Sequence, residues 1–374
     1  MTRNHNHDNA SSSSTRKRKK RKSFKTFDKG DVAPWSYVNH DVLFLVMMQL
    51  RVVDFVAFSG VCKSWRAFAL YNKKTFMASK PPMRIFFEHY SDNTMLWCLK
   101  DFEGRNFRTI VPDSQGRKCV GCTCGYLILT RGKTHDFWLV NPITRHELYF
   151  HGFSLYEGAG LECTGGLLVF SPSISRGLLV FSPSISGWVF VLLHENEWCE
   201  GNISFYIAGK RGWNHVYSNH RILDIHVFKG KIYTLDADFC VCELKLLPNQ
   251  KHKWTLLEIK NFPKPYMFSP EFVSSSESLY VIDHYAPHKV LEIDIGEMKW
   301  VSPEKTIQEY AIFLSNGRIR SSAAIKPESW AGPWTHYKSY DCFHDTDKDQ
   351  LDIIHYNTMW YFPHDCLNVN LLDE

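Results

Sequence analysis

Five cysteines lie at spacings that metal sites use, in Cys119-x-x-Cys122-x-Cys124 and Cys240-x-Cys242. A structural zinc site needs four ligands, usually two pairs whose members are two to four residues apart. Both groups instead lie in the apolar, strand-like runs CTCGYLIL and CVCELKL, where cysteine behaves as a small apolar side chain. The sequence therefore predicts core cysteines and no metal site.

Other patterns with catalytic or ligand-binding potential are incomplete. DTDKDQLD (345–352) begins like a calcium-binding loop, but Gln350 stands where that loop needs glycine and Tyr356 where it needs glutamate. HENEW (194–198) lacks the second histidine of a zinc-protease helix. No nucleophile elbow, phosphate-binding loop or dinucleotide fingerprint occurs in the sequence. We therefore expect a chain that is not an enzyme and that needs no cofactor.

The positive charge of the chain is concentrated in residues 1–30. Ten Lys/Arg and two Asp there give +8, which leaves 34 of the 44 basic and 37 of the 39 acidic side chains, or −3, for the rest. A run of seven like charges has no apolar residue to bury, so this tail is expected to be disordered. The run is typical of a nuclear import signal, and a nonspecific polyanion-binding arm is the alternative. It consists of Arg16, Lys17, Arg18, Lys19, Lys20, Arg21 and Lys22.

The predicted location is the nucleus, with the cytoplasm as a second compartment. Eleven cysteines, an odd number, and a polar N-terminal segment predict a reducing intracellular environment. No apolar run approaches the roughly 18 residues that a membrane helix needs. The mildly acidic body also lacks the general basic surface that nucleic acid requires. Neither a membrane span nor a specific nucleic-acid site is predicted.

Residues 35–74 carry the pattern of three short helices. The predicted helices cover about 40–50, 53–59 and 61–71. Between residues 41 and 50 only Asp41 and Gln49 are polar. A helix that is apolar on all sides must be covered on all sides, and a unit of about 40 residues buries too little surface to do this alone. Another part of the molecule, or a partner, must therefore cover the second side.

GVCKSWRAFA (60–69) places a wide apolar stripe on the third helix. Val61, Trp65 and Phe68 recur at i, i+4 and i+7, and Cys62 and Ala69 widen the stripe. It is wider than a three-helix unit can use internally, so part of it is expected to form an interface. The alternative is an ordinary helical hairpin that caps the next domain.

This segment resembles an F-box, the helical module that binds the Skp-type adaptor of cullin–RING ubiquitin ligases. VCKSWR (61–66) matches the Val-Cys-Lys-x-Trp-Arg part of the family pattern, and Val38-Asn39 stands where the family has Leu-Pro. The resemblance implies that residues 31–78 are an F-box domain. The implied adaptor-binding residues are Trp35, Val38, Asn39, Val42, Leu43, Val46, Leu50, Val53, Phe55, Val61, Cys62 and Trp65.

From about residue 83 the chain changes to short strands separated by Gly, Asn and Pro, which is typical of an all-β domain. One element recurs, with starts that are 52, 53 and 47 residues apart. A period near 50 is typical of a β-propeller, in which radial repetition protects the strand edges. With weaker repeats at 83–110 and 311–374, about six blades are predicted. The recurring element is GYLILT (125), GLLVFS (177), GKIYTLD (230) and ESLYVID (277).

Three stretches resemble the kelch-like domain that follows the F-box in many plant proteins. They are RKCVGCTCGYLIL…FWLVNPITR (117–145), KGKIYTLD (229–236) and WYFPHDCLN (360–368). The fold class implied is an α+β multidomain chain, in which a disordered tail (1–30) precedes a small all-α F-box (31–78) and an all-β propeller (83–374).

The two resemblances imply a substrate-recognition subunit of an SCF (cullin–RING) ubiquitin ligase. Its partners would be a Skp-type adaptor, through it a cullin–RING ligase, and an unknown protein substrate. A propeller enzyme or ligand-binding module with a helical appendage is the alternative. A nuclear nucleic-acid binder is a third possibility, and it requires binding that survives removal of residues 1–30.

A verbatim tandem repeat interrupts the strand pattern. GLLVFSPSISR (166–176) is followed directly by GLLVFSPSISG (177–187). An insertion of 11 residues, if absorbed in register, would turn every later side chain of its strand to the other face. One copy is therefore expected to loop out or to add a strand, and deletion of 166–176 is expected to leave a folded protein.

Overall fold

The computed structural model describes residues 34–89, 95–102, 104–110, 117–131, 136–151, 173–181, 187–195, 201–210, 212–246, 253–263, 266–302, 307–315, 321–326, 336–338 and 358–362. The basic tail, DTDKDQLD (345–352) and the first part of the tandem repeat (166–172) lie outside these residues. What the sequence predicts for those three segments therefore stays a prediction.

The helical region contains the three predicted helices after a short 3-10 turn. The elements are η1 (Pro34–Tyr37), α1 (His40–Gln49), α2 (Val52–Ser59) and α3 (Lys63–Ala78). Asn39 caps α1, because its side-chain oxygen accepts the Asp41 N–H at 2.7 Å. α3 runs seven residues beyond the predicted end, since Phe76 and Met77 are buried and their packing holds the polar segment before them in the helix. No helix in the described part of the chain is long and apolar enough to span a membrane.

The described strands form six sheets, five with four strands and one with three. The first blade consists of β23 (Met359–Tyr361), β1 (Met83–His89), β2 (Met95–Lys100) and β3 (Asn106–Ile110). The second consists of β4 (Lys118–Thr123), β5 (Tyr126–Arg131), β6 (Asp136–Val140) and β7 (Glu147–Phe150). The third blade consists of β8 (Ser173–Phe181), β9 (Trp188–Glu195), β10 (Gly201–Ile207) and β11 (Asn214–Ser218). The fourth consists of β12 (Ile222–Phe228), β13 (Lys231–Asp236), β14 (Val241–Lys245) and β15 (Lys253–Leu257). The fifth blade consists of β16 (Pro270–Ser274), β17 (Leu279–Asp283), β18 (Val290–Asp294) and β19 (Lys299–Val301). The sixth has three described strands, and β20 (Ala311–Leu314) lies between β21 (Ala323–Ile325) and β22 (His336–Lys338).

This arrangement confirms the predicted order of three helices followed by a β-propeller. Its ring is closed by β23, near the end of the sequence, which pairs antiparallel with β1 near the start of the propeller. Met359 lies opposite Ile85, and Tyr361 lies opposite Met83. The sequence did not reveal this pairing, because strand partners that are distant in the chain leave no local pattern.

One member of the predicted repeat was placed wrongly. GYLILT, GKIYTLD and ESLYVID form the second strand of their blades, β5, β13 and β17. GLLVFS instead belongs to β8, which is the first strand of the third blade. The equivalent second strand is β9, which follows Gly187. The tandem repeat caused this error, because its GLLVF and the true second strand WVFVLL are both apolar runs rich in Leu, Val and Phe.

The two copies of the tandem repeat meet inside one strand. β8 contains the last four residues of the first copy, Ser173 to Arg176, and the first five of the second, Gly177 to Phe181. One copy was expected to loop out or to add a strand. Both expectations are wrong for residues 173–181, which form the first of the four strands of the third blade. All of β8 except Ser175 pairs with β9, and a bulge lies between Ile174 and Arg176.

Loops of the propeller alternate between two faces, because neighbouring strands within the five four-stranded blades are antiparallel. The loop from the second to the third strand and the loop that leads to the next blade share one face, here called the open face. The loops within the other two hairpins share the opposite face. α3 leads directly into β1, the second strand of the first blade, so the helices lie at that opposite face, here called the helix face.

The helices and the propeller share one hydrophobic core. Leu43 of α1, Phe55 of α2 and Phe76 of α3 belong to the same buried cluster as Trp138 and Tyr361 of the first two blades. The rings of Phe55 and Phe76 stack with their centroids 4.3 Å apart. The propeller therefore supplies part of the cover that the all-apolar first helix requires.

Candidate functional site

α1 presents one side to the shared core and the other to solvent. Leu43 is 2% exposed and Met47 is fully buried, whereas Leu45 is 66% exposed and Val42 and Val46 are also exposed. The exposed residues recur at i, i+3 and i+4, so they form one continuous stripe along the helix. We call Val42, Leu45 and Val46 the α1 stripe.

Trp65 links α3 to the segment that precedes α1. Its indole Nε1–H donates to the backbone oxygen of Trp35 at 2.8 Å, and its ring lies 4.7 Å from that of Phe58. The side chains of Trp35 and of Val61, at the start of the α3 segment, are exposed. Trp65 therefore acts as a half-buried support, and Trp35 and Val61 provide the solvent-facing apolar area.

The structure divides the twelve predicted adaptor-binding residues into three groups. Two of them, Leu43 and Phe55, are buried in the shared core and are not part of any exposed surface. The half-buried group consists of Val38, Leu50, Val53, Cys62 and Trp65. The exposed group consists of Trp35, Asn39, Val42, Val46 and Val61.

Cys62 and Asn39 have local structural roles as helix caps. At the start of α3 the Cys62 Sγ accepts the Trp65 N–H at 3.5 Å. At the start of α1 the Asn39 side-chain oxygen accepts the Asp41 N–H. The nearby Arg51 and Asp54 form an exposed ion pair at 2.6 Å, and the hydrogen bond from Arg51 lowers the pKa of Asp54. This pair lies at the start of α2 and provides charge close to the apolar residues.

Sequence reasoning missed several exposed apolar side chains of the helical region, namely Tyr37, Leu45, Leu70 and Tyr71. Leu45 could have been found once Leu43 and Met47, four residues apart, were assigned to the buried side, because Leu45 then faces outward. Nothing in an all-apolar segment identifies the buried side in advance.

A sequence profile of the KIB1-4 β-propeller family matches residues 98–362. The chain belongs to this family. The KIB1-4 propeller is found in plant F-box proteins, and the three helices described above precede the matched residues. No curated protein matches the sequence.

Several solved structures are similar to this KIB1-4 protein only distantly. The nidogen/laminin complex shares 15% identity over 66% of this chain and 86% of the other, with a TM-score of 0.34. AztD from Citrobacter koseri shares 12% identity, with a TM-score of 0.31, and the match spans only 58% of each chain. The WD40 domain of SCAP from fission yeast shares 9% identity over 64% of this chain and 57% of the other, with a TM-score of 0.31. Similarity this low carries no functional argument.

The two cysteine groups of the KIB1-4 propeller lie in or next to strands β4 and β14. Burial raises the pKa of Cys119 to about 12, so its thiol is protonated at neutral pH. The Cys124 Sγ–H donates to the backbone oxygen of Leu179 at 3.3 Å, and burial raises the pKa of Cys240 and Cys242. Of these five cysteines Cys122 is buried and the other four are half-buried, so the prediction of core cysteines is confirmed in part. The absence of a metal site stays a prediction.

The histidine of HENEW lies inside the third blade of the KIB1-4 propeller. His194 Nε2 is 2.9 Å from Ser204 Oγ, which is 2.8 Å from His215 Nδ1. Burial and the nearby His215 lower the pKa of His194 to about 3, so it is neutral. Although serine and histidine are paired, Ser204 is only 1% exposed and a substrate could not reach it. This polar chain therefore joins β9, β10 and β11.

One group on the open face has the geometry of metal ligands. His220, Asp236 and Asp238 place their ligand atoms within 4.8 Å of one another, and a cavity of about 240 Å³ lined by His220 and Asp236 adjoins them. Asp236 Oδ1 already accepts the backbone N–H groups of Asp238 at 2.9 Å and Cys240 at 2.7 Å. That carboxylate therefore stabilises the turn between β13 and β14, which accounts for the position of the group.

Proposed function

We propose that this chain is the substrate-recognition subunit of an SCF (cullin–RING) ubiquitin ligase. The helical region binds a Skp-type adaptor, and the KIB1-4 propeller recruits a protein for ubiquitin transfer by other subunits. The observation that carries the proposal is the exposed α1 stripe, with Trp35 and Val61 also exposed, on a helical unit with the VCKSWR sequence that is joined to a KIB1-4 propeller.

The role of the chain in this proposal is to bring two molecules together without reacting with either. Holding a substrate beside the ligase raises the local concentration of its lysines near the charged conjugating enzyme. The shared core supports this role, because it fixes the position of the helices relative to the propeller. Adaptor and substrate then occupy opposite faces of one rigid molecule.

Adaptor binding should depend on the α1 stripe. Burying a large apolar side chain contributes roughly 1.5–3 kcal/mol, and a lysine at the same place would bury a charge. Leu45→Lys with Val46→Lys is expected to weaken binding of a purified Skp-type adaptor to the purified full chain at least about tenfold. Titration calorimetry measures the affinity.

Leu256→Lys is the matched control, because Leu256 is 57% exposed on the outer strand β15 of the propeller. This control should bind the adaptor as the wild type does. Circular dichroism should show that both variants are folded. Wild-type protein that does not bind the adaptor, or double-lysine protein that binds it unchanged, would exclude this role for the helical region.

Nuclear localisation is a second part of the proposal, supported by the basic run at residues 16–22. Changing Lys17, Lys19, Lys20 and Lys22 to Ala should abolish nuclear enrichment of the tagged full chain in live-cell imaging, because the import carrier recognises clustered positive charge. The same four lysines changed to Arg keep the charge and should keep the enrichment. Equal enrichment of both variants would refute the import signal.

A further inference from the structure

Three exposed aromatic side chains cluster on the open face of the fifth blade. Tyr266 is 78% exposed, Phe268 is 72% exposed and Tyr285 is 61% exposed. The first two lie in the loop that leads from β15 to β16, and Tyr285 lies in the loop between β17 and β18. The rings of Phe268 and Tyr285 meet edge to face at 5.5 Å. We call these three residues the aromatic patch.

A buried carboxylate holds the two loops of the aromatic patch in place. Asp283 is 1% exposed and accepts the backbone N–H groups of Phe268 at 2.9 Å and Tyr285 at 3.1 Å. Burial alone would raise the pKa of Asp283, but these backbone donors outweigh it and leave the pKa below its ordinary value. The charged carboxylate therefore joins both loops at neutral pH.

Two further contacts fix the loops to each other. The His284 N–H donates to the Ser269 oxygen at 2.9 Å, and the Lys289 Nζ donates to the Tyr266 oxygen at 2.8 Å. Aromatic side chains on a backbone that is already ordered lose little conformational entropy on binding, and such residues dominate the affinity of protein interfaces. The fold therefore presents large apolar groups to solvent in a preorganised arrangement.

The charges around the aromatic patch indicate the chemistry of its partner. Lys289 lies 5.5 Å from the centre of the Tyr266 ring, and His288 is exposed beside it. The described residues of the two loops, 258–263, 266–269 and 284–289, contain one acidic side chain, the exposed Glu258, which directly follows β15. The remaining described residues of these loops contain none. In the adjoining strands, the carboxylates of Asp283 and Glu271 are each 1% exposed and are used internally, Glu271 beside His284 at 3.4 Å.

We propose that the aromatic patch is a docking site for an acidic protein segment with apolar side chains. The apolar side chains would pack on Phe268 and Tyr285, and the carboxylates would approach Lys289 and His288. Single-stranded nucleic acid also stacks on aromatic residues, but it requires a positively charged groove, and the body of this chain carries 37 acidic and 34 basic side chains. The assignment of the docked segment as a ubiquitination substrate rests on the proposed function above.

The test uses the purified full chain and short synthetic peptides that alternate Asp or Glu with Leu, Ile or Pro. One control peptide set replaces the acids by Lys or Arg, a second replaces the apolar residues by Ser, and oligo(dT) represents nucleic acid. Fluorescence anisotropy should show binding of the acidic–apolar set alone. Phe268→Ala with Tyr285→Ala should weaken it at least about tenfold, which is the effect of losing interface anchor residues.

Tyr71→Ala is the matched control, because Tyr71 is an exposed aromatic residue of α3 on the opposite side of the molecule. It should leave peptide binding unchanged. No binding of the acidic–apolar set, equal binding of either control set, preference for oligo(dT), or unchanged binding by the double-alanine variant would each overturn the inference. The same double variant should still bind the Skp-type adaptor. Wild-type protein that binds the acidic–apolar peptides but not the adaptor would refute the ligase proposal and leave the docking site.

Discussion

Replacing Arg176 with Ala is expected to lower the free energy of unfolding by about 3–5 kcal/mol. Arg176 of β8 contacts both carboxylate oxygens of Asp224 on β12, at 2.7 and 2.8 Å. Asp224 is fully buried and also accepts the Phe272 N–H of β16 at 2.7 Å, so one ion pair connects three successive blades. Removing Arg176 leaves the buried Asp224 carboxylate without its ion-pair partner, and backbone N–H donors alone compensate only part of the charge. Denaturant unfolding of the full chain measures the loss.

The matched control is Arg105→Ala. Arg105 pairs with Asp101 at the same distance, 2.7 Å, but its side chain is 51% exposed, so its loss should cost about 0–1 kcal/mol. A second arm combines Arg176→Ala with Asp224→Asn, which removes the stranded charge and should recover part of the stability. If Arg176→Ala and Arg105→Ala lowered the free energy of unfolding equally, the buried ion pair would contribute no more to stability than the exposed one.

Arg176 also changes the expectation for the tandem repeat. The two copies differ only at their eleventh residue, which is Arg176 in the first and Gly187 in the second. Arg176 forms the buried ion pair, whereas Gly187 has φ of +120°, a conformation that other residues rarely adopt. Each copy therefore has the residue its position requires. Deletion of 166–176 removes Arg176, and we now expect it to destabilise the propeller.

Leu43→Ala should cost about 2–5 kcal/mol of stability, whereas Leu45→Ala, two residues away in the same helix, should cost little. Leu43 is buried in the shared core, and its truncation removes apolar contacts and leaves a cavity. Leu45 is largely exposed. Thermal unfolding of the two full-length variants provides the comparison.

Adaptor titration of the same pair separates stability from binding. Leu45→Ala should weaken the adaptor complex without lowering the midpoint of unfolding, and Leu43→Ala should lower the midpoint. Similar midpoints for the two variants would mean that Leu43 is not a core residue. Leu43 would then be accessible to the adaptor, as the resemblance to an F-box implies.

The same two leucines show how far the sequence determines the site. Helical spacing and the caps located α1 and α2 to within one residue, and the repeat of apolar runs identified the propeller. The side of α1 that faces the core was not predictable, because an all-apolar helix has no polar side to mark solvent. Leu43 was therefore assigned to the surface and Leu45 was missed. Phe55, which lies on α2, was assigned to the surface from the F-box resemblance alone.

The aromatic patch and the Arg176–Asp224 pair were not predicted for a different reason. Each joins residues from separate strands or loops, and the contacts that define it cross 15 to 48 residues of chain. The sequence contains the participating residue types, but only the arrangement of the blades brings them together. Local patterns predict elements, and such contacts depend on how the elements are assembled.

Closure of the ring by β23 has a consequence for the protein during its synthesis. Ile85 of β1 pairs with Met359 of β23, so a ribosome must add 274 more residues before the partner exists. At about 5–20 residues per second this takes roughly 14 to 55 s. During that interval the inner edge of β1 has unpaired backbone groups, which are a template for association with other chains. The nascent chain is therefore most prone to aggregation after β1, β2 and β3 of the first blade have been synthesised and before β23 has been added.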